Sequence, residues 1–384
     1  MPAYFDNAAT TALCKEALIA FEQAAQIYAN PSSVHSAGLE AEKLVASSRK
    51  KLLSIIGGTG KGALVFTGCG TESNALALFG TSYAKKANIN KNVIISDSEH
   101  PSVYNGAQEL KSRGFEVRTL KTHGGAADPA ELSALVDENT FLVSVMTVNN
   151  ETGAVYDIKE LCRAAKEKNP RVIFHTDATQ AFMKTDTNVS VSGVDMMTVS
   201  AHKIGGPKGV GALYISNKVI SSRSVSPLLF GGGQEDGLRS GTENTAGIAA
   251  FAAAAEYGKA NYDADISKIT ELSEFIKSEL EASGVRVNRP ARSVPHIISA
   301  TLPDIKSEVM LRFLSANGVY ISSGSACSSH HPGISRSLQA FGLPAKEADC
   351  TVRISLWRQN TEEEARLLIK NIREGVQNLI KIRK

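Results

Sequence analysis

Ser200-Ala201-His202-Lys203-Ile204-Gly205-Gly206-Pro207-Lys208-Gly209-Val210-Gly211 follows an apolar run, Val194-Asp195-Met196-Met197-Thr198-Val199, that reads as a buried strand. A second short strand is expected from Ala212 to Ile215, which holds a lysine in a glycine-rich turn between two strands. Lysine amines form Schiff bases with carbonyl cofactors, and burial or a neighbouring cation lowers their pKa enough to make them nucleophilic. Ser200 and His202 lie beside Lys203 and offer hydrogen bonds to an anion such as phosphate. One reading is that Lys203 carries pyridoxal 5'-phosphate as a Schiff base. The competing reading is that Lys203 and Lys208 are surface lysines of a loop.

Upstream of this turn, strands alternate with helices, which argues for a mostly parallel sheet. Ala63-Leu64-Val65-Phe66 reads as a buried strand, followed by Thr67-Gly68-Cys69-Gly70-Thr71-Glu72-Ser73-Asn74 and a helix through Ala75, Leu76, Leu78 and Phe79. Strand, glycine-rich turn and helix start together favour a phosphate at the backbone N–H groups. Val93-Ile94-Ile95-Ser96 leads to Ser98-Glu99-His100, which puts His100 past the carboxyl end of a strand, where open α/β sheets bind ligands. His100 is therefore a candidate to stack on an aromatic cofactor, or else a local hydrogen-bonding residue. Strands over Phe115 to Arg118, Phe141 to Val148 and Arg171 to His175 follow, the last two ending in Asn149-Asn150-Glu151 and Asp177-Ala178-Thr179-Gln180. Asn150, Asp177, Gln180 and Lys203 thus share one sheet edge. A carboxylate such as Asp177 facing a pyridine nitrogen would keep it protonated and make the ring an electron sink; otherwise Asp177 caps the next helix. Gly57-Gly58-Thr59-Gly60-Lys61-Gly62 is read as a turn, because it lacks both the first glycine and the final Ser/Thr of a nucleotide-binding loop.

At the amino-terminal end, Tyr4 to Thr11 is a polar turn, with Thr10 or Thr11 expected to cap a helix whose Leu13, Ala17, Phe21, Ala24 and Tyr28 share a face. Asn30-Pro31-Ser32-Ser33 breaks it, and a second helix is expected from Gly38 to Ile56. Gly231 to Thr245 is the longest glycine-rich segment; it is either a linker or, through Arg239-Ser240-Gly241-Thr242, an anion contact. Helices over Ala246 to Tyr257 and Ile266 to Leu280 come next, and shorter alternating segments begin there. The expected division is a large domain over residues 15–259 and a smaller one from 1–14 and 260–384. Ile321 to Gly333 is a small-residue loop in which Cys327 is accessible, as suits a nucleophilic thiol. His330 and His331 follow it and are read as polar rather than metal-binding. Arg353, in Val352-Arg353-Ile354-Ser355, is a candidate clamp for a carboxylate, or a surface ion pair. Thr361-Glu362-Glu363-Glu364 opens a last amphipathic helix.

Bulk properties set limits. A chain of 384 residues allows roughly two domains. A net charge of +3 is too small to argue for nucleic acid or an anionic membrane. No run reaches transmembrane length and Met1-Pro2-Ala3-Tyr4 shows no signal-peptide pattern. The five scattered cysteines contain no C-x-x-C pair, so the expectation is reduced thiols in a cytoplasmic protein, with no zinc site or disulfide framework.

Eight ordered motifs then resemble one family. They are Asp6-Asn7-Ala8-Ala9-Thr10-Thr11, Asn30-Pro31-Ser32-Ser33, Thr71-Glu72-Ser73-Asn74, Asn149-Asn150-Glu151, Asp177-Ala178-Thr179-Gln180, Ser200-Ala201-His202-Lys203, Arg239-Ser240-Gly241-Thr242 and Ser322-Ser323-Gly324-Ser325-Ala326-Cys327. Together they resemble the cysteine desulfurases of the class V aminotransferase family, over nearly the whole chain. The resemblance implies an α/β fold type I pyridoxal-phosphate transferase: a large domain with a mostly parallel seven-stranded sheet and a smaller α+β domain. It implies Lys203 as the Schiff-base lysine, with Gly70, Thr71, Ser200 and His202 on the phosphate. It implies Thr242 reaching the phosphate of the other subunit of a homodimer, and His100 stacking on the ring and moving protons. Asp177 would pair with the ring nitrogen, Asn150 and Gln180 would tune the ring oxygen, and Arg353 with Asn150 would bind the substrate.

The implied activity converts L-cysteine to L-alanine, with sulfur held as a persulfide on Cys327 for an acceptor such as an iron–sulfur scaffold or a tRNA-thiolation enzyme. The alternatives are a selenocysteine lyase or related C–S lyase and, from another class, a non-catalytic scaffold for a sulfur-carrier partner. Three departures from the family pattern stand out: Gly70 where alanine is usual, His330-His331-Pro332-Gly333 after the cysteine, and Trp357-Arg358-Gln359-Asn360 in place of a more glycine-containing end.

Overall fold

A computed structural model of the chain describes residues 2–84, 91–324 and 334–379. Cys327, His330 and His331 lie outside the described residues. The strands are β1 (Ala3–Tyr4), β2 (Gly62–Thr67), β3 (Asn92–Ser96), β4 (Glu116–Leu120), β5 (Thr140–Ser144), β6 (Ile173–Asp177), β7 (Met196–Ser200), β8 (Gly211–Ser216), β9 (Arg286–Asn288), β10 (Ile297–Thr301), β11 (Val319–Tyr320) and β12 (Thr351–Ser355).

Seven strands form one sheet in the order β2-β8-β7-β6-β5-β3-β4. All pairings from β7 to β4 are parallel; β8 alone runs against both its neighbours. β3, β5, β6 and β7 are buried along their whole length, as expected of strands covered by helices on both faces. Their side chains alternate between two apolar clusters. Ile94, Val143, Phe174 and Met197 join one cluster, while Ile95, Leu142, Ile173 and Met196 join the other. An antiparallel sheet β12-β10-β9 and a parallel pair β1-β11 make up the remaining strands. Among the described residues, no helix is long and apolar enough to cross a membrane.

Several local expectations are corrected. Neither Thr10 nor Thr11 caps the first helix, Lys15–Ala25; its N-cap is Cys14, without a side-chain bond. The two threonines face the lysine turn instead. Thr11 Oγ1 accepts from the Gly205 N–H at 2.7 Å, and Thr10 Oγ1 lies 3.2 Å from His202 Nδ1. The face drawn through Leu13, Phe21 and Tyr28 is not core: Ala17 and Ala24 are buried, while Tyr28 is 95% exposed. The strand expected over Phe141 to Val148 ends as a regular strand at Ser144, although the Val145 and Thr147 N–H groups still donate to the His175 and Asp177 carbonyls of β6 before the chain turns at Asn149.

The glycine-rich stretch before Thr245 is held by a half-buried ion pair between Arg49 and the buried Glu235. Glu235 accepts from Arg49 Nη2 at 2.9 Å and from the Phe66 N–H of edge strand β2 at 2.8 Å. That bond covers an N–H which an edge strand would otherwise leave open.

Candidate active site

Four neighbouring parallel strands deliver polar groups to one edge of the sheet. β3 leads to His100, β5 to Asn150, β6 ends in Asp177, and β7 ends in Ser200 and turns to Lys203. With Cys69, Gly70 and Thr71 from the turn after β2, and Arg353 from β12, they line one cavity of about 210 Å³. Gln180, His202, Asn74, Ser102, Thr179, Ala8 and Ala9 complete it. Every proposed site residue among the described ones lines this cavity except Thr242, which faces a separate recess of about 100 Å³ with Arg239 and Asn244.

The amino-terminal segment forms part of the cavity wall. Lys203 Nζ donates to the Ala8 and Ala9 carbonyls at 2.7 Å each, and Gln180 Nε2 donates to the Ala8 carbonyl at 2.8 Å. Asp177 is fixed from two sides: Asn74 Nδ2 donates to Oδ2 at 2.7 Å and the Thr179 N–H to Oδ1 at 2.9 Å. Asn74 also donates to Ser102 Oγ at 2.9 Å, and Ser102 Oγ lies 2.8 Å from His100 Nδ1. Asp177 and His100 are therefore set by one chain of bonds. Asn74, Ser102 and Thr179 were missed in the sequence; the Thr71 to Asn74 motif contained the signal, but nothing local tied Asn74 to a carboxylate 103 residues away.

Burial dominates the electrostatics. Desolvation lowers the pKa of His100, aided by Lys203 and Arg336 and opposed by Asp177. Desolvation, then Lys203, Lys184 and Lys208, lowers that of His202 to about 4, so its ring is neutral at pH 7. Lys184, which sequence reading passed over, is fully buried behind Gln180. Desolvation first, and then Lys203, Arg353 and Arg358, push its pKa well down.

The cavity fits an anionic ring cofactor on observations internal to it. Ser200 Oγ and Asn150 Oδ1 are buried without a hydrogen-bond partner although both residues line it, and buried polar groups ordinarily have one. At Gly70 an added Cβ would approach Thr179 Oγ1 to 3.2 Å, so the wall is close-packed there and alanine would fit only tightly. An amine, a fixed carboxylate, orphaned donors and acceptors, and a neutral histidine match the parts of a phosphorylated pyridine aldehyde.

The chain is similar to known proteins over nearly its whole length. The family described as aminotransferase class V matches residues 3–368. A NifS/IcsS protein homologue from Lactobacillus delbrueckii subsp. bulgaricus is 38% identical over 388 residues, covering 99% of this chain and 98% of the relative. A cysteine desulfurase IscS from Dictyoglomus turgidum is 37% identical over 366 residues, covering 94% and 91%. Among solved structures, a NifS-like protein matches with a TM-score of 0.92 at 33% identity, over 99% of this chain and 100% of that one. One described as SspA in complex with cysteine matches at TM-score 0.81 and 32% identity, over 94% and 100%.

Proposed function

The chain belongs to the class V aminotransferase family, and on that premise we propose that it is a pyridoxal-phosphate-dependent cysteine desulfurase. The resemblance drawn from its motifs is borne out by relatives named cysteine desulfurase that match nearly its full length. The observation that carries the reading is the meeting of Lys203, Asp177, His100, Ser200 and Arg353 in one cavity, from strands up to about 250 residues apart. L-cysteine enters, L-alanine leaves and the sulfur is retained.

When bound, the coenzyme supplies an electron sink for the pair left at the amino acid's α-carbon. The chain's own groups do the rest. Lys203 Nζ is the amine that would hold the coenzyme and, when free, would be placed to take a proton from the substrate's α-carbon. The Asp177 carboxylate, aimed by Asn74 and Thr179, would hold the ring nitrogen. Ser200 Oγ, His202 and the Gly70-Thr71 backbone would hold its phosphate. His100 would cover the ring, and Asn150 and Gln180 would hold its oxygen. Arg353 grips the substrate carboxylate. Cys327 takes the sulfur as a persulfide, a role that rests on the Ser322 to Cys327 motif.

The exposed apolar side chains Leu18, Phe21, Tyr28, Leu229 and Phe230 support a homodimer in which Thr242 serves the other subunit's phosphate seat. A sulfur acceptor, such as an iron–sulfur scaffold or a tRNA-thiolation enzyme, completes the cycle in a cytoplasmic setting. The test is hydride reduction of the coenzyme-loaded protein followed by peptide mass spectrometry, and mass analysis after L-cysteine. The expected results are coenzyme fixed on Lys203 and one added sulfur on Cys327. Coenzyme fixed elsewhere, or a Lys203→Ala variant with undiminished alanine release, overturns the reading.

A further inference from the structure

Arg353 Nη2 donates to Asp6 Oδ1 at 2.8 Å, and Nη1 donates to the Asn150 carbonyl at 2.8 Å. Its side chain is 3% exposed and that of Asp6 is 19% exposed. Arg353 lines the cavity, whereas Asp6 does not. The ion pair is therefore made away from the cavity, and the buried Nε has no partner. A guanidinium carries five N–H donors in a rigid fork, so donors remain for a carboxylate arriving from the cavity.

Asp6 is itself firmly placed. Its backbone bridges Ser355, two residues along β12 from Arg353, and the Tyr4 hydroxyl donates to its carbonyl at 3.2 Å. The flanking backbone is fixed too: Asn7 Nδ2 donates to the Ser355 carbonyl at 3.0 Å, and the Ala8 N–H donates to Ser355 Oγ at 2.8 Å. Pinning a long side chain in advance removes the ordering entropy that a mobile arginine would lose on gripping a ligand.

We infer that Asp6 is a positioning residue for substrate binding, whose carboxylate aims the Arg353 guanidinium at the α-carboxylate of the amino acid. This rests on the reading of Arg353 as the carboxylate clamp. Asp6 does not touch the reacting atoms, so its removal acts on binding more than on turnover. The same pin serves any α-amino acid, L-alanine as product included, and is indifferent to whether the side chain bears sulfur.

The experiment compares Asp6→Ser, Asp6→Asn and Arg353→Gln as coenzyme-loaded proteins. The readouts are KM and kcat for L-cysteine, L-alanine binding by calorimetry, and thermal melting to check the fold. Asp6→Ser is expected to raise KM about tenfold while kcat falls no more than about threefold, and to weaken L-alanine binding by a similar factor. Asp6→Asn keeps an acceptor oxygen in place and recovers most of the loss. Wild-type binding by Asp6→Ser overturns the inference, as does an Asp6→Asn protein that binds as poorly as Asp6→Ser. If Arg353→Gln leaves KM unchanged, the clamp reading falls and the role of Asp6 falls with it. A raised KM in Arg353→Gln beside a wild-type Asp6→Ser overturns the role of Asp6 alone. Should Asp6→Ser not fold, Asp6→Glu, which keeps the charge but shifts the acceptor by one methylene, carries the same expectation.

Discussion

Glu99 shows how far a buried position can alter a residue. It is fully buried; Oε1 accepts from Ser96 Oγ and, at 2.8 Å, from the Met146 N–H, while Oε2 has no partner. Desolvation pushes its pKa up to about 8 against the lowering effect of those bonds. Between its ordinary value of 4.5 and about 8, the folded chain holds a proton there that the unfolded chain has lost. The contribution of Glu99 to stability therefore falls as pH rises through that window. Glu99→Gln removes this slope. The variant is expected to gain on the order of 3 kcal/mol over the parent at pH 8 and nothing near pH 4, as read by denaturant unfolding at both pH values. Asn74 makes a different kind of residue-scale case, since its amide joins Asp177 to Ser102 and thus to His100. Asn74→Ala leaves Asp177 with one donor of two. About a tenfold loss of kcat with weakened coenzyme affinity is expected, from steady-state rates and coenzyme titration.

At the scale of elements, the last helix, Glu362–Asn378, is set by local chemistry. Thr361 accepts from the Glu364 N–H at 3.2 Å and Glu364 returns the bond to the Thr361 N–H at 3.1 Å. The buried face carries Ala365, Leu368, Ile369 and Ile372. Thr361→Ala should cost about 1 kcal/mol without changing turnover, as measured by thermal melting. The first helix, Lys15–Ala25, behaves otherwise. Its apolar periodicity is real, yet Leu18, Ile19 and Phe21 stay exposed, Ala17 and Ala24 are its buried residues, and it packs on the helix Thr245–Ala260. Periodicity identified the helix and misjudged what its apolar face meets, because an apolar residue is spaced the same way whether it meets its own core or another chain.

At the scale of the whole molecule, that exposed face carries a prediction. If the proposed homodimer forms through this face, Leu18→Asp with Phe21→Asp shifts the protein from dimer to monomer in sedimentation and lowers activity at least tenfold, because Thr242 would be lost to the other subunit's site. An unchanged sedimentation coefficient would remove the face from the interface.

The sheet was legible in advance because buried parallel strands are short apolar runs separated by helical periods, and Val93 to Ser96 or Met196 to Val199 show this without any partner. The turn chemistry around Lys203 and Asp177 was legible for the same reason, since glycines and polar groups at strand ends are a local pattern. What the chain's order could not show was which carbonyl, amide or carboxylate completes each group. Lys203 meets Ala8 and Ala9, Asp177 meets Asn74, and Arg353 meets Asp6, 347 positions away. These pairings arise only when sheet, amino-terminal segment and β12 pack together. Hydrogen bonds are fixed by distance in space, whereas sequence patterns report only the local path of the backbone.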